Sequence, residues 1–448
     1  MALHLAKYDV RQFLAKKRAL KKKRKQIRIA RKRLIAAIRQ RTFDAKFGKS
    51  SRIISMMAKY SPSPTVPFQR TISAQLPKRF SVVDEPEIVF NKLSDLACQL
   101  KAYRLGSVFL DFSKVEEQDL SANGLLDVLV DELSTAARRT GHKIRWRGTY
   151  PANANDKRFV KAMGVIKRLQ IEHEYPRQEE VAELELFDAR CKHYMRVPDA
   201  RQQNKNSRTT QKFADHIDRC LKRVNRTLLK EARGRLCQYV SEIIDNAEEH
   251  AQMGDWSIQG YLDTHLDTPM CEISIYNFGH TIAETLEALP DDSYTRDQVK
   301  RYIDLHEKGG FFKADWRRED LYTLIALQGN VSSKNHARTD TRGNGTVDLI
   351  GFFQRVLEEC SEGKHQQSAR MAIASGSTFI MFDGSYQMKP DENGVNIIAF
   401  NKNNSLEERP DARYVRRLTT AHFPGTVISL KFPLSTASST SAVNGGKR

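Results

Sequence analysis

Cysteine is scarce in this chain and scattered. The six residues, Cys98, Cys191, Cys220, Cys237, Cys271 and Cys360, form no C-x-x-C pair and have no histidine cluster beside them. That pattern excludes a zinc finger and a disulfide framework, and it fits a reducing compartment. No apolar run approaches the length of a membrane-spanning helix, and the N-terminus lacks the continuous apolar core of a signal peptide. A soluble, cytoplasmic protein with no transmembrane segment is the expectation. Its 448 residues suffice for two or three domains, each able to bury its own core.

Acidic residues are missing from one stretch. Arg11 to Arg41 holds fifteen Lys or Arg and no Asp or Glu, so most of the net charge of +20 belongs to an appendage. Residues 11–42 also lack Gly and Pro and are rich in helix formers, with a thin apolar stripe of Leu20, Ile27, Leu34 and Ile38. A basic helical arm over 1–60 is predicted. Release of counterions from phosphates makes nucleic acid its first candidate partner, bound through residues 11–41. Without interleaved aromatics such binding is non-specific. An anionic membrane surface and an acidic protein partner are the two alternatives.

Ser61 to Pro67 reads SPSPTVP, so 61–76 is expected to be a linker. Over 77–176 the pattern alternates. Helices are predicted at Glu85–Leu105, Ser121–Arg139 and Asp156–Leu169, and strands at Ser107–Phe112 and His142–Gly148. A small α/β domain follows from that alternation. The stretch Val108 to Leu129, VFLDFSKVEEQDLSANGLLDVL, resembles the STAS domain of anti-sigma-factor antagonists. The match is a strand ending in D-F-S, then a loop, then a Gly124-Leu125 helix opening. At the place that family phosphorylates stands Ala122, which has no hydroxyl, with Ser121 beside it. Residues 177–234 are polar and read as a helical connector, with Arg201–Gln211 as an exposed turn. His216 lacks the surroundings of a phosphoacceptor histidine and receives no phosphotransfer role.

Leu236 to Ala251, LCQYVSEIIDNAEEHA, reads as one amphipathic helix. Leu236, Val240, Ile243, Ile244 and Ala247 form its apolar face, while Glu242, Asp245, Asn246 and Glu249 recur on one flank. Such a flank suits positioning a water and a hard divalent cation. Strands follow at Trp256–Leu262 and Cys271–Phe278, the second ending in IYNFGHTI. A polar loop over 331–342 leads into Gly343-Asn344-Gly345 and an apolar helix, where backbone N–H groups can meet an anion. Strands at Ser377–Asp383, Val395–Phe400 and Thr426–Pro433 close the chain.

E-x-x-D-N-A on a helix, an N-x-G turn, a loop, G-x-G at a helix start and a final G-T strand together resemble the GHKL ATPase family. Its members include gyrase, heat-shock chaperones, histidine kinases, mismatch-repair ATPases and anti-sigma serine kinases. The resemblance spans Leu236 to Pro433. It implies a Bergerat-type two-layer α/β sandwich over 235–434, with an insertion at 292–328 and a flexible tail at 435–448. It also implies bound ATP and Mg²⁺. Glu242 takes the place of the general base and Asn246 that of the Mg²⁺ ligand, while Asp245 orients neighbouring groups. His250 matches a residue common in the anti-sigma kinases, with a role in packing or hydrogen bonding. Asn277 stands where the family has the adenine-binding Asp, and an amide oxygen can still accept from the adenine amino group. Gly279 fits the family's first glycine; Thr281 replaces its second. Gly343 and Gly345 match the next glycine box. Ser332, Ser333 and Lys334 match the lid, with Lys334 as charge stabiliser. Thr426 matches the Thr of the last strand.

Three functions are compatible with this. The first is an ATP-hydrolysing regulatory or conflict-system protein whose Mg-ATP site controls contacts with a partner, whether nucleic acid, another protein or a second copy. The second is an anti-sigma-type serine/threonine kinase. The third is a nucleic-acid-binding or scaffold protein with a vestigial nucleotide site.

Overall fold

A computed structural model describes residues 15–35, 37–38, 51–62, 70–101, 105–192, 199–249, 253–266, 268–308, 317–329, 331, 345–360, 369–392 and 394–434. The basic stretch is a helix over 15–35 (α1), exposed along its whole length. Then come α2 (Arg52–Met57), β1 (Thr71–Gln75), β2 (Arg79–Phe80), α3 (Pro86–Leu100), β3 (Ser107–Asp111), β4 (Glu117–Gln118), α4 (Leu120–Arg139), β5 (Arg145–Thr149), α5 (Ala154–Met163) and α6 (Val165–Leu169). Strands β1, β3 and β5 form a parallel sheet in the order β1-β3-β5, and β2 pairs with β4.

The arm and linker assignments need correction here. α2 lies within 1–60, yet Ile53, Ile54 and Met57 are buried in the core of the first domain. Their i, i+1, i+4 spacing forms a one-turn apolar face. β1 lies within 61–76, and its Ile72 and Ala74 are buried as well.

The second half contains α7 (Gln178–Val181), β6 (Leu184–Cys191), α8 (Asp199–Lys222), α9 (Lys230–Glu249), β7 (Trp256–Asp263), β8 (Met270–Phe278), α10 (Ile282–Glu287), α11 (Tyr294–Lys308), α12 (Arg318–Ile325), α13 (Gly345–Cys360), β9 (Arg370–Gly376), β10 (Thr378–Phe382), β11 (Lys389–Pro390), β12 (Asn396–Ile397), β13 (Val415–Arg417) and β14 (Phe423–Pro433). An antiparallel seven-stranded sheet runs β13-β10-β9-β14-β8-β7-β6. The stretch read as a helical connector therefore supplies an edge strand, β6. The turn expected at Arg201–Gln211 is part of α8, because Gln202, Asn206 and Thr210 are buried and two of them hydrogen-bond to Glu248.

Helices α8, α9 and α13 pack on one face of this sheet, against Ile258, Ile273, Ile275, Ile428 and Leu430. The opposite face, with Tyr261, Tyr276, Phe278 and Val427, packs on α4 and α2 of the first domain. The sheet is thus covered on both faces, three layers where two are expected. The reason lies in the strands: every residue of β7 is buried, as is nearly every residue of β8. A sheet apolar on both faces has to be covered on both.

α4 reaches the sheet through its smallest residues. A Cβ at Gly124 would overlap Gln259 Oε1 and press on Tyr276. Tyr276 Oη donates to the Gly124 carbonyl at 3.0 Å, and Ser121 Oγ donates to Ser274 Oγ at 2.8 Å. Asp119 caps the helix by accepting from the Ala122 N–H at 2.7 Å. Ser121, Ala122 and Asn123 are all buried. The segment that resembles the STAS switch is a docking surface in this chain, with no room for a phosphate on Ser121.

Candidate nucleotide site

α9 is held by Leu236, Tyr239, Val240, Ile244 and Ala247, which are buried against the sheet side. One flank is tied to α8 and β7. Cys237 Sγ donates to the Thr210 carbonyl at 3.7 Å. Glu248 accepts from Gln202 Nε2 at 2.7 Å, Asn206 Nδ2 at 3.2 Å and Trp256 Nε1 at 2.9 Å. The other flank faces α13. There Arg235 lies close enough to Asp348, in the first turn of α13, to oppose the upward push that burial gives its carboxyl. Arg235, Glu242 and Asn246 are spaced i, i+7, i+11 and therefore share that flank. Glu242 is half-buried and accepts from Gln238 Nε2 at 3.3 Å, Asp245 is half-buried, and Asn246 is exposed. Beside them Tyr239 is wholly buried, its hydroxyl without a hydrogen-bond partner among the described residues. Burial, with a smaller push from Glu242, raises its pKa well above the usual tyrosine value.

The sheet contributes a second set of groups. Asn277, near the end of β8, pairs in register with Trp256 of β7 and with Thr426 of β14, and Thr426 pairs with Ser375 of β9. Strand alternation puts Asn277 on the helix side with Ile273 and Ile275, and Thr426 there with Ile428 and Leu430. Their neighbours on that side are buried, whereas Asn277 and Thr426 are half-buried, so among the described residues the helix layer leaves them partly open. Ser375 Oγ donates to the Gly425 carbonyl at 3.0 Å, accepts from the Ile282 N–H at 2.9 Å and lies 3.0 Å from Thr426 Oγ1. No sequence motif points to Ser375; its one signal is a hydroxyl at a helix-side position within MAIASG, whose other residues are small or apolar.

The turn after β8 has definite backbone needs. Gly279 has φ of 124° and donates its N–H to the Pro424 carbonyl at 3.2 Å. Opposite it, Gly425 has φ of 139°, and a Cβ there would overlap the Asn277 carbonyl oxygen. Thr281 has a structural task. Its hydroxyl accepts from the Glu284 N–H at 3.1 Å while Glu284 accepts from the Thr281 N–H at 2.8 Å, a reciprocal cap on α10.

Gly345 is the first residue of α13. Ser332, Ser333, Lys334, Gly343 and His250 lie outside the described residues. Among the described residues there is no group of three or more His, Cys, Asp or Glu side chains able to hold a metal ion. Asn246 offers a neutral oxygen donor on this flank, beside the carboxylates of Glu242 and Asp245. No helix among the described residues is long and apolar enough to cross a membrane.

No family model, curated protein or solved structure matches the chain.

Proposed function

We propose that the second half of the chain binds ATP with Mg²⁺ and hydrolyses it. The occupied and empty states would then differ in how the protein meets a nucleic-acid partner at its basic arm. One observation carries the reading. Asn277 and Thr426, register partners on the helix side of the sheet, are left partly open by the helix layer among the described residues, and the Glu242–Asn246 flank of α9 is turned toward α13.

In this reading Asn277 accepts from the nucleobase amino group, with Thr426 and Ser375 forming the floor beside it. Asn246 holds Mg²⁺ and Glu242 takes the proton of the attacking water. The bound Mg²⁺ would neutralise developing charge on the phosphates. The start of α13 at Gly345 offers backbone N–H groups to a phosphate. The first domain, docked on the far face, contacts β8 through Tyr276, which adjoins Asn277 in sequence and points the other way. Movement of β8 is therefore felt on both faces.

The test is phosphate release from ATP by the purified chain and by a Glu242→Ala variant. Turnover that falls at least a hundredfold, with ATP binding retained, supports the reading; unchanged turnover removes Glu242 from the mechanism.

A further inference from the structure

Among the described residues, the parallel sheet of the first domain leaves one face open. Parallel sheets are ordinarily covered on both faces. Here Ile72 and Ala74 of β1 and Val108 and Leu110 of β3 point into the core, and Trp146 of β5 packs against it. The alternate residues point out, with exposed or half-exposed side chains along all three strands. In register they form three rows: Thr71–Ser107–Arg145, Ser73–Phe109–Arg147 and Gln75–Asp111–Thr149.

The middle of this face is occupied by an aromatic ring. Phe109 lies on the central strand, is half-buried and joins none of the hydrophobic clusters. On one side Ser73 is its register partner and on the other Arg147. Arg145 and Arg147 make no ion pair among the described residues. Just before them, at the end of α4 and in the following turn, are Arg138, Arg139 and Lys143, all exposed. From Arg138 to Thr149 the chain has five Lys or Arg and no acid. The outer row also carries hydroxyls, Ser107 Oγ donating to Thr71 Oγ1 at 3.1 Å. At the opposite end the one carboxylate, Asp111, accepts from Thr149 Oγ1 at 2.5 Å, the Ser113 N–H at 3.0 Å and Gln75 Nε2 at 3.2 Å. Those bonds hold Asp111 ionised, its pKa far below the ordinary carboxylate value. The face therefore sets an aromatic ring between a cationic Arg145 end and an anionic Asp111 end.

We infer that the open face of β1, β3 and β5 binds single-stranded nucleic acid, with a base stacked on Phe109 and phosphates on Arg145 and Arg147. A flat sheet carrying an aromatic ring suits an unpaired base, and the bases within a duplex are not free to lie on it. Adjacent strands are about 4.8 Å apart and alternate residues on one strand about 6.7 Å apart, so the face holds roughly two nucleotides. Binding by α1 alone reads only phosphate and does not separate single strands from duplex. The sheet face adds that distinction. It uses no residue of the nucleotide site, so failure of ATP binding leaves it standing.

The test uses the full-length protein and fluorescence anisotropy with three labelled probes: a 12-nucleotide oligouridine, a 12-nucleotide oligothymidine and a 12-base-pair DNA duplex of mixed sequence. Phe109→Ala should weaken both single strands roughly tenfold and leave the duplex unchanged, and Phe109→Tyr should restore binding. Arg145→Ala combined with Arg147→Ala should lower the salt dependence on single strands by about 1.4 in log–log slope. Uridine favoured over thymidine assigns the face to RNA, and the reverse to DNA; either supports it. Equal losses on single strand and duplex, or no loss on either with an unchanged thermal melt, would overturn it. So would loss of binding to a labelled oligoglutamate peptide in Phe109→Ala while all three nucleic-acid probes bind as before, because the face would then belong to an acidic protein partner.

Discussion

Glu132 is the most informative single substitution in the first domain. Its carboxylate accepts from the Ile54 N–H at 2.8 Å and the Ile53 N–H at 3.1 Å, which makes it the N-terminal cap of α2. α2 is the short helix that ties the segment after the basic arm into the core. Burial, with a smaller push from Asp255, raises the Glu132 carboxyl from 4.5 to about 7, against the two N–H donors and Lys192, which favour the ion. The surrounding cleft also contains Asp131, Arg190, Thr135 and Trp256, with Asp131 paired to both Arg190 and Lys192. An acid whose pKa rises on folding binds its proton more tightly in the folded state. Its contribution to stability is therefore complete below about pH 4.5 and is lost as pH climbs through 7. At 1.36 kcal/mol per pH unit, the full loss is about 3 kcal/mol. Glu132→Gln removes the charge, but its amide nitrogen cannot accept from one of the two N–H donors. The variant should therefore lie about 1–3 kcal/mol below the parent at pH 4 and gain on it by up to about 3 kcal/mol by pH 8. Urea unfolding followed by circular dichroism at a series of pH values measures both curves. Parallel curves between pH 4.5 and 7.5 would refute the assignment.

Two further substitutions test the interfaces. Gly425→Ala should destabilise the protein by about 2–4 kcal/mol in urea unfolding, since its Cβ would meet backbone rather than a side chain able to move. It should also loosen the β8–β14 pairing that holds Asn277 beside Thr426. Arg158 and Asp263 form a buried ion pair between α5 and β7, with side-chain exposures of 14% and 2%. Arg158→Ala leaves the carboxylate buried without its cation and should cost about 3–5 kcal/mol in the same assay. Arg158→Ala combined with Asp263→Asn should recover part of that loss, and a double variant no better than the single one would exclude a charge effect.

The sequence and the structure agree best where periodicity is strong. α4, β7 and β8 fall within a residue of their expected bounds, because each carries a sustained helical or strand pattern, whereas α9 starts at Lys230, six residues before the expected Leu236. The misses have physical causes. β6 carries Glu185, Asp188 and Arg190 among its apolar residues, and these look like a solvated helix face until Arg219 and Arg223 of the neighbouring segment, Arg168 of α6 and Asp131 of α4 are found paired with them. α8 is polar in composition but buries Gln202 and Asn206 around Glu248, and this exchange of amides and a carboxylate has no hydrophobic signature. α2 and β1 are too short to show a period and lie beside Pro/Ser-rich sequence. The SANG run of α4 was visible only as a motif. Its use as a close-packed docking face depends on Gln259, Ser274 and Tyr276, more than 130 residues away. In the candidate site the motif residues of α9, β8 and β14 were legible one by one. The pairing of Asn277 with Thr426 and Ser375 depends on strand order, which no local pattern encodes.

The proposed function requires a nucleotide at Asn277 and Thr426 beside α9. Isothermal titration of the full-length protein with a non-hydrolysable ATP analogue, with and without Mg²⁺, tests it most directly when repeated on Asn246→Ala and Asn277→Ala. Expected are saturable binding to the parent at a ratio of one, loss of the Mg²⁺ dependence in Asn246→Ala, and at least tenfold weaker binding in Asn277→Ala. Absence of binding to the parent, or equal affinity in all three proteins, would contradict it.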